Sequence, residues 1–165
     1  MNITFNGSPI TLKGNQLKIG DKMPDFIVCD NDLNMVKGNE LSGVRIFLTV
    51  PSLDTGVCDM EVRNFNSKAS ELDGVSIYAV SLDLPFAQAR WCCANGIKAV
   101  KTLSDYKDRN FGMATGTFIE ELALLTRAVF IVNNANEIVY VEYVPEVTNH
   151  PDYDKAYNVL EDLIK

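Results

Sequence analysis

One stretch decides the fold: Val44-Arg45-Ile46-Phe47-Leu48-Thr49-Val50, followed by Pro51-Ser52-Leu53-Asp54-Thr55-Gly56-Val57-Cys58. The first seven residues form a near-continuous apolar run, which predicts a strand buried on both faces, as in parallel sheets. Beyond the loop, apolar residues recur at helical spacing, at Cys58, Val62, Phe65, Ala69 and Leu72. The stretch therefore predicts a buried strand joined by a short loop to a helix that begins near Cys58.

Further elements flank this unit on both sides. Before it we predict two extended pairs, a hairpin at residues 3–5 and 10–12 and a second pair at residues 26–29 and 34–36. After it we predict a strand, a helix that opens at Pro85, a short strand, a hairpin and a last helix from Pro151, at residues 75–82, 85–94, 100–103, 128–132 with 138–144, and 151–164. This order predicts an α/β, thioredoxin-like fold with a mixed central sheet, flanking helices and an extra N-terminal β-hairpin.

Composition limits the classes of function. The 165 residues fit one domain, 1–165, in which residues 1–15 form the hairpin extension, and 47% hydrophobic with 22% charged residues is ordinary for a globular chain. The net charge of −7 without a basic cluster excludes nucleic-acid binding through phosphate neutralisation. No apolar run is long enough to span a bilayer, and the first residues lack a secretion signal. We therefore expect a cytoplasmic protein with no membrane partner.

The cysteines are the candidate reactive groups. A chain of this size folds without disulfide staples, so the thiols are not needed as a structural framework. Thr55 is a good N-cap, which places Cys58 three residues into the helix, where the cap hydroxyl typically engages the backbone N–H. The positive end of the helix dipole favours the thiolate form of Cys58. The four cysteines are Cys29, Cys58, Cys92 and Cys93.

Local charges work against this thiolate. Three acidic residues lie close to Cys58 in the chain, and Arg63 is the only cation nearby; the acids are Asp54, Asp59 and Glu61. A second cation must therefore reach the thiol from elsewhere in the fold. Arg127 is the candidate, because it precedes a buried strand and can point toward the end of the sheet.

Several segments resemble the thiol peroxidase branch of the peroxiredoxins, the atypical two-cysteine type. Residues 51–58 (PSLDTGVC) are similar to its peroxidatic-cysteine loop, and residues 84–92 (LPFAQARWC) to its resolving-cysteine segment. The stretches Thr126-Arg127-Ala128-Val129 and His150-Pro151-Asp152-Tyr153, and the N-terminal hairpin, also resemble this branch. The resemblance thus covers nearly the whole chain.

The resemblance implies a function and a set of residue roles. Cys58 would attack hydrogen peroxide or an organic hydroperoxide and become a sulfenic acid, which Cys92 would resolve as an intramolecular disulfide. Thr55 would orient the peroxide, Pro51 would shield the thiolate from water, and Arg127 would hold the thiolate and stabilise the transferring oxygens. The resemblance also implies recycling by thioredoxin, an antioxidant role and a homodimer. This thiol chemistry leads us to expect no cofactor and no metal.

The choice between Cys92 and Cys93 remains partly open. In the helix from Pro85, Phe86, Ala89 and Cys93 share one face, which predicts that Cys93 is in the core and Cys92 is accessible. The family motif also ends at Cys92. The alternative is that Cys93 substitutes when Cys92 is lost. Because the two cysteine segments lie on different elements, we expect local unwinding before a disulfide forms.

Other functions fit the residues less well. A cysteine hydrolase needs a histidine base, and the only one, His150, lies in a terminal loop. A disulfide reductase would carry Cys-x-x-Cys at the helix start, where Thr55 stands instead of the first cysteine. The cysteine spacing also lacks the paired pattern of a zinc site. A structural or redox-sensing binding protein remains the alternative to a peroxidase.

Overall fold

A computed structural model describes residues Met1 to Lys165 and contains three β-sheets and four α-helices. The helices are α1 (Gly56–Ala69), α2 (Pro85–Asn95), α3 (Asn110–Thr115) and α4 (Tyr153–Leu163), with one 3-10 turn at Gly38–Glu40. The strands are β1 (Ile3–Phe5), β2 (Ser8–Ile10), β3 (Leu12–Lys13), β4 (Ile27–Cys29), β5 (Met35–Lys37), β6 (Val44–Thr49), β7 (Val75–Ser81), β8 (Val100–Ser104), β9 (Phe118–Ile119), β10 (Leu124–Leu125), β11 (Ala128–Val132) and β12 (Ile138–Tyr143).

The central sheet has seven strands in the order β12-β11-β6-β7-β8-β4-β5. Strands β6, β7 and β8 run parallel, and the strands on both sides of them pair antiparallel. All six residues of β6 are buried, because the strand lies in the middle of a sheet that is covered on both faces. The mixed sheet and the α/β fold class predicted from the sequence are confirmed.

Alternating residues of β6 serve two separate hydrophobic cores. Phe47 packs on one face with Phe26 and Phe111, while Ile46 and Leu48 point to the other face, as the pleat of a strand requires. The second face is covered by α1, α2 and α4, which contribute Val62, Phe65, Trp91, Ala156 and Leu160. The helix that carries Cys58 is therefore fixed on the sheet by its apolar stripe.

The N-terminal hairpin forms as predicted, but its second strand is Ser8–Ile10 instead of residues 10–12, so its turn is shorter. Asn6 and Gly7 have φ angles of 51° and 78°, which suit a two-residue turn of the type that matches strand twist. The second strand ends at Ile10, and β3 leaves the hairpin to join a three-stranded sheet with β9 and β10. The backbone N–H of Thr4 donates to the Pro145 carbonyl at 2.8 Å. The hairpin thus docks on the loop that follows β12.

The helices differ from the prediction at two places. The last helix begins at Tyr153 rather than at Pro151, because the Asp152 carboxylate accepts a hydrogen bond from the Lys155 N–H and caps it. Helix α3 was not predicted; its first-turn N–H groups donate to the Asp105 carboxylate. The longest helix, α1, has 14 residues, and none combines the length and apolarity that crossing a membrane demands.

Candidate active site

The candidate site lies at the carboxyl end of β6, where the loop 50–55 leads into α1. Strand β11 pairs antiparallel with β6, and its Ala128 lies opposite Thr49. Continuing this register by one residue places Arg127 beside Val50, at the end of the sheet and facing the loop. The topology therefore brings Arg127 and Cys58 together although they are far apart in the chain.

Cys58 is fully buried and receives two hydrogen bonds from side chains. The Thr55 hydroxyl donates to the Cys58 Sγ at 2.6 Å, and the Arg127 Nη2 donates to the same sulfur at 3.2 Å. Helix α1 begins at Gly56, so the N–H groups of its first turn, including that of Cys58, have no acceptor within the helix. Both donors and the helix start favour a negative charge on this sulfur.

The position of Thr55 agrees with the prediction, but the bond made by its hydroxyl does not. Thr55 is the N-cap of α1, with φ of −95° and ψ of 145°, yet its side chain makes no capping bond to the backbone. The hydroxyl contacts the Cys58 sulfur and the Ser52 carbonyl instead. The expected bond from a backbone N–H to the hydroxyl oxygen is wrong, because the hydroxyl is turned toward the Cys58 sulfur, to which it donates its proton.

Arg127 is held on three sides. Its Nε donates to the Val147 carbonyl at 2.8 Å, its Nη1 pairs with the Glu61 carboxylate, and its Nη2 reaches Cys58. Both Arg127 and Glu61 are almost completely removed from solvent. A planar guanidinium with three fixed acceptors has little freedom to rotate. The arrangement therefore aims one N–H group at the Cys58 sulfur.

One cation serves two acidic groups in this pocket. Burial raises the pKa of Glu61 to about 7, although the adjacent Arg127 opposes the rise. Burial lowers the pKa of Arg127, but the charges of Glu61 and Cys58 and their hydrogen bonds together raise it above its ordinary value. The guanidinium is thus permanently charged, while Glu61 exchanges a proton near neutral pH. Glu61 lies close to Cys58 in the chain and was expected to oppose the thiolate, but in the folded protein its carboxylate pairs with Arg127.

The loop before α1 is fixed by Asp83, which follows β7. The Asp83 carboxylate accepts hydrogen bonds from the Ser52 hydroxyl at 2.7 Å, the Leu53 N–H at 2.9 Å and the Ser81 hydroxyl at 2.7 Å. Pro51 is buried at the start of this loop. Its ring lacks an N–H group and fixes φ, which limits the backbone paths open to the loop.

Helix α2 presents a different face to the core than predicted. Pro85, Gln88 and Trp91 are buried, whereas Phe86 is 66% exposed. Cys92 is half-buried against the second core and lies 3.5 Å from the Thr102 hydroxyl, whereas Cys93 is exposed. The expectation that Cys93 is in the core and Cys92 is accessible is wrong. Gln88 can be buried although it is polar, because its side-chain NH2 group donates to the Ser81 hydroxyl and the Leu103 carbonyl.

The other polar candidates lie outside this cluster. All four cysteines are free thiols, and Cys29 is buried beside Met35. His150 is exposed and its ring contacts the Tyr153 hydroxyl. The fold brings no three metal-ligating side chains together. The chemistry open to the site is therefore that of one buried thiol with two fixed hydrogen-bond donors.

The sequence patterns did not predict that Glu61 pairs with Arg127 or that Asp83 holds the loop before α1. The burial of Glu61 could have been predicted, because it shares the helix face of Cys58, Val62 and Phe65. A carboxylate on a buried face requires a cationic partner, so this position already pointed to an ion pair. Nothing in the sequence around Asp83 indicates which loop it contacts.

Comparison with known proteins identifies the family of the chain. Residues 18–160 match the Redoxin family. The chain is 54% identical to a thiol peroxidase of Clostridium acetobutylicum over 94% of this chain and 95% of the relative, and 50% identical to a thiol peroxidase of Bacillus subtilis over 99% and 98%. It superposes on the crystal structure of a peroxiredoxin-like protein from Aquifex aeolicus with a TM-score of 0.91 and 38% identity, over 99% of this chain and 97% of that one. The chain therefore belongs to the Redoxin family and is a peroxidase of its thiol peroxidase group.

Proposed function

We propose that the chain reduces hydrogen peroxide and organic hydroperoxides with Cys58 as the nucleophile. The thiolate attacks one peroxide oxygen, so that an S–O bond forms and the O–O bond breaks. The sulfur loses two electrons and becomes a sulfenic acid. The leaving oxygen takes a proton and departs as water or an alcohol.

The donors around the sulfur support this step. The Thr55 hydroxyl and the Arg127 Nη2 contact the Cys58 sulfur. A peroxide bound against this sulfur would therefore lie within reach of both donors. The N–H groups at the start of α1 offer further donors to the oxygen on which charge develops. The buried Pro51 and Leu53 keep water from the thiolate. Aligned donors of this kind act mainly by orientation and charge stabilisation.

We further propose that Cys92 resolves the sulfenic acid as an intramolecular disulfide, and that a thioredoxin-type dithiol protein reduces it. The two sulfurs have different neighbours in the folded state, Arg127 for Cys58 and Thr102 for Cys92. A disulfide requires Cα atoms within about 7 Å, so α1 and α2 must unwind locally to form it. Cys93, one residue away and exposed, is the alternative partner.

The remaining proposals concern the setting of the enzyme. We propose that residues 1–165 act as one domain in a reducing cytoplasm, where free thiols persist, and serve antioxidant defence. A homodimer is supported by apolar side chains at the start of α2, where Leu84 and Phe86 are 51% and 66% exposed.

The observation that carries the proposal is the pair of hydrogen bonds donated to the buried Cys58 sulfur by Thr55 and Arg127. The test is NADPH-linked reduction of hydrogen peroxide and of an alkyl hydroperoxide with thioredoxin and thioredoxin reductase. We expect turnover in the wild type and in Cys29→Ser, and none in Cys58→Ser. Cys92→Ser should lose reductase-coupled turnover, and Cys93→Ser should keep it.

Two results would contradict parts of this proposal. Turnover in Cys58→Ser would remove Cys58 as the nucleophile. Stoichiometric oxidation of Cys58 without turnover under any dithiol reductant would identify a redox-sensing protein instead of a peroxidase.

A further inference from the structure

Four residues form a closed ring of hydrogen bonds between α1 and α2. The Trp91 Nε1 donates to the Asp59 Oδ1 at 3.0 Å, and the Arg63 Nε donates to the Asp59 Oδ2 at 2.8 Å. The Arg63 Nη2 donates to the Asn95 Oδ1, and the Asn95 Nδ2 donates to the Trp91 carbonyl at 2.8 Å. We call Asp59, Arg63, Trp91 and Asn95 the interhelix ring.

The interhelix ring includes a residue next to each of the two proposed redox cysteines. Asp59 follows Cys58 in α1, and Trp91 precedes Cys92 in α2. Two of the four bonds, Trp91 to Asp59 and Arg63 to Asn95, cross from one helix to the other. The Trp91 side is buried, while the Arg63 side chain is 48% exposed. Local unwinding that brings Cys92 to Cys58 must therefore break bonds of this ring.

We infer that the interhelix ring sets how long the Cys58 sulfenic acid persists before Cys92 reaches it. Its members are positioning residues that act through the two helices, and the inference rests on the proposed Cys58–Cys92 disulfide. In that step the Cys92 sulfur attacks the Cys58 sulfur, an S–S bond forms, the S–O bond breaks, and the oxygen leaves as water with the thiol proton. The competing step is oxidation of the same sulfenic acid by a second hydroperoxide to sulfinic acid.

The ring controls this competition because it stabilises only the folded arrangement. A lost hydrogen bond of this kind changes an opening equilibrium by about fivefold, and a bond to a charged group by more. A weaker ring makes the disulfide form faster and leaves less time for the second oxidation. The first reaction of Cys58 with peroxide uses the donors Thr55 and Arg127, which lie outside the ring, so we expect its rate to stay the same.

Trp91→Phe and Asn95→Ala test the inference from two sides of the ring. Trp91→Phe keeps an aromatic ring but removes the donor to Asp59, and Asn95→Ala removes the acceptor for Arg63 and the donor to the Trp91 carbonyl. Asn95→Asp retains an acceptor for Arg63. Arg90→Ala is the matched control, because Arg90 is exposed on α2 and outside the ring.

Each reduced protein is mixed with one equivalent of hydrogen peroxide, and the disulfide is followed by rapid quench with thiol blocking and mass spectrometry. We expect disulfide formation about fivefold faster in Trp91→Phe and Asn95→Ala, and within about twofold of wild type in Asn95→Asp and Arg90→Ala. The peroxide concentration that converts half of Cys58 to sulfinic acid should rise by the same factor as the disulfide rate.

Equal disulfide rates in Trp91→Phe, Asn95→Ala and the wild type would overturn the inference, as would an Asn95→Asp rate as high as that of Asn95→Ala. Failure of the proposed function gives a different result, because the wild type itself would then form no Cys58–Cys92 disulfide. A lower unfolding midpoint without a changed ratio of disulfide to sulfinic acid would show a merely structural role and would also overturn the inference.

Discussion

Replacing Glu61 with Gln should change how the stability of the protein depends on pH. Burial raises the pKa of Glu61 from 4.5 to about 7 in the folded protein, while the unfolded chain exposes the carboxyl to water. Between these two values the folded protein holds a proton that the unfolded chain has released. The stability contributed by this group is therefore fully present below about pH 4.5 and is lost as the pH rises through 7.

The size of the effect follows from the shift in pKa. Each pKa unit corresponds to about 1.4 kcal/mol, so the raised pKa of Glu61 costs the wild type about 2.5 kcal/mol of unfolding free energy between pH 5 and pH 8. Glu61→Gln keeps the shape and an acceptor for Arg127 but cannot ionise. The variant should therefore gain about 2.5 kcal/mol relative to the wild type over this interval.

Urea unfolding at pH 5, 6, 7 and 8 under reducing conditions measures this difference. Burial also raises the pKa of Asp105 to about 6, so the unfolding free energy of both proteins falls with rising pH by the same amount from this group. The difference between the two proteins therefore isolates Glu61. Glu71→Gln, at an exposed carboxylate near the end of the same helix, should keep the pH dependence of the wild type. Parallel curves for the wild type and Glu61→Gln would refute the reasoning, because Arg127 would then keep Glu61 ionised throughout.

Further predictions concern the loop, the hairpin and the helix pair. Thr55→Val should lower the rate of Cys58 oxidation in stopped-flow about a hundredfold, and Thr55→Ser should not; equal loss in both would point to packing instead of the hydroxyl. Asp83→Ala should lower the unfolding free energy by about 2 kcal/mol and slow the same oxidation, since the loop loses its anchor; an unchanged oxidation rate would show that the loop holds its shape alone. Glu146→Ala frees the docked hairpin and should slow oxidation several-fold, whereas an unaffected rate would separate the hairpin from the site. The single tryptophan, Trp91, is 8% exposed, so its emission should shift to the red when one equivalent of peroxide is added, and should stay unshifted in Cys92→Ser.

The sequence predicted the elements whose burial is uniform or strictly periodic. β6 was clear because all of its residues face the core, and α1 because its stripe from Cys58 to Phe65 keeps one period. In α2 two faces compete: the apolar one with Phe86 lies outside, and the one with buried Gln88 lies inside. Its orientation depends on hydrogen bonds to Ser81 and Leu103 that no local pattern reveals.

The candidate site, too, could be predicted from the sequence only in part. Cys58, Thr55 and Pro51 lie in one continuous segment, and their proximity follows from the chain itself. The contact with Arg127 needs the pairing of β11 with β6, although the position of Arg127 before a buried strand already suggested it. To predict the Glu61–Arg127 pair, one would have needed both the buried helix face that carries Glu61 and the sheet register that positions Arg127.

The two halves of the site have opposite mechanical requirements. In the proposed cycle Arg127 stays in place. Its Nε donates to the Val147 carbonyl, and the Val147 N–H donates to the Thr4 carbonyl of the N-terminal hairpin at 2.9 Å. In the proposed cycle Cys58 and Cys92 leave their places, and their helices are joined by a few hydrogen bonds that are partly open to water. Breaking such bonds costs little compared with unpacking the core behind β6 and β11. Under the proposed mechanism, the fold can therefore release the two thiols while Arg127 keeps the position from which it contacts Cys58.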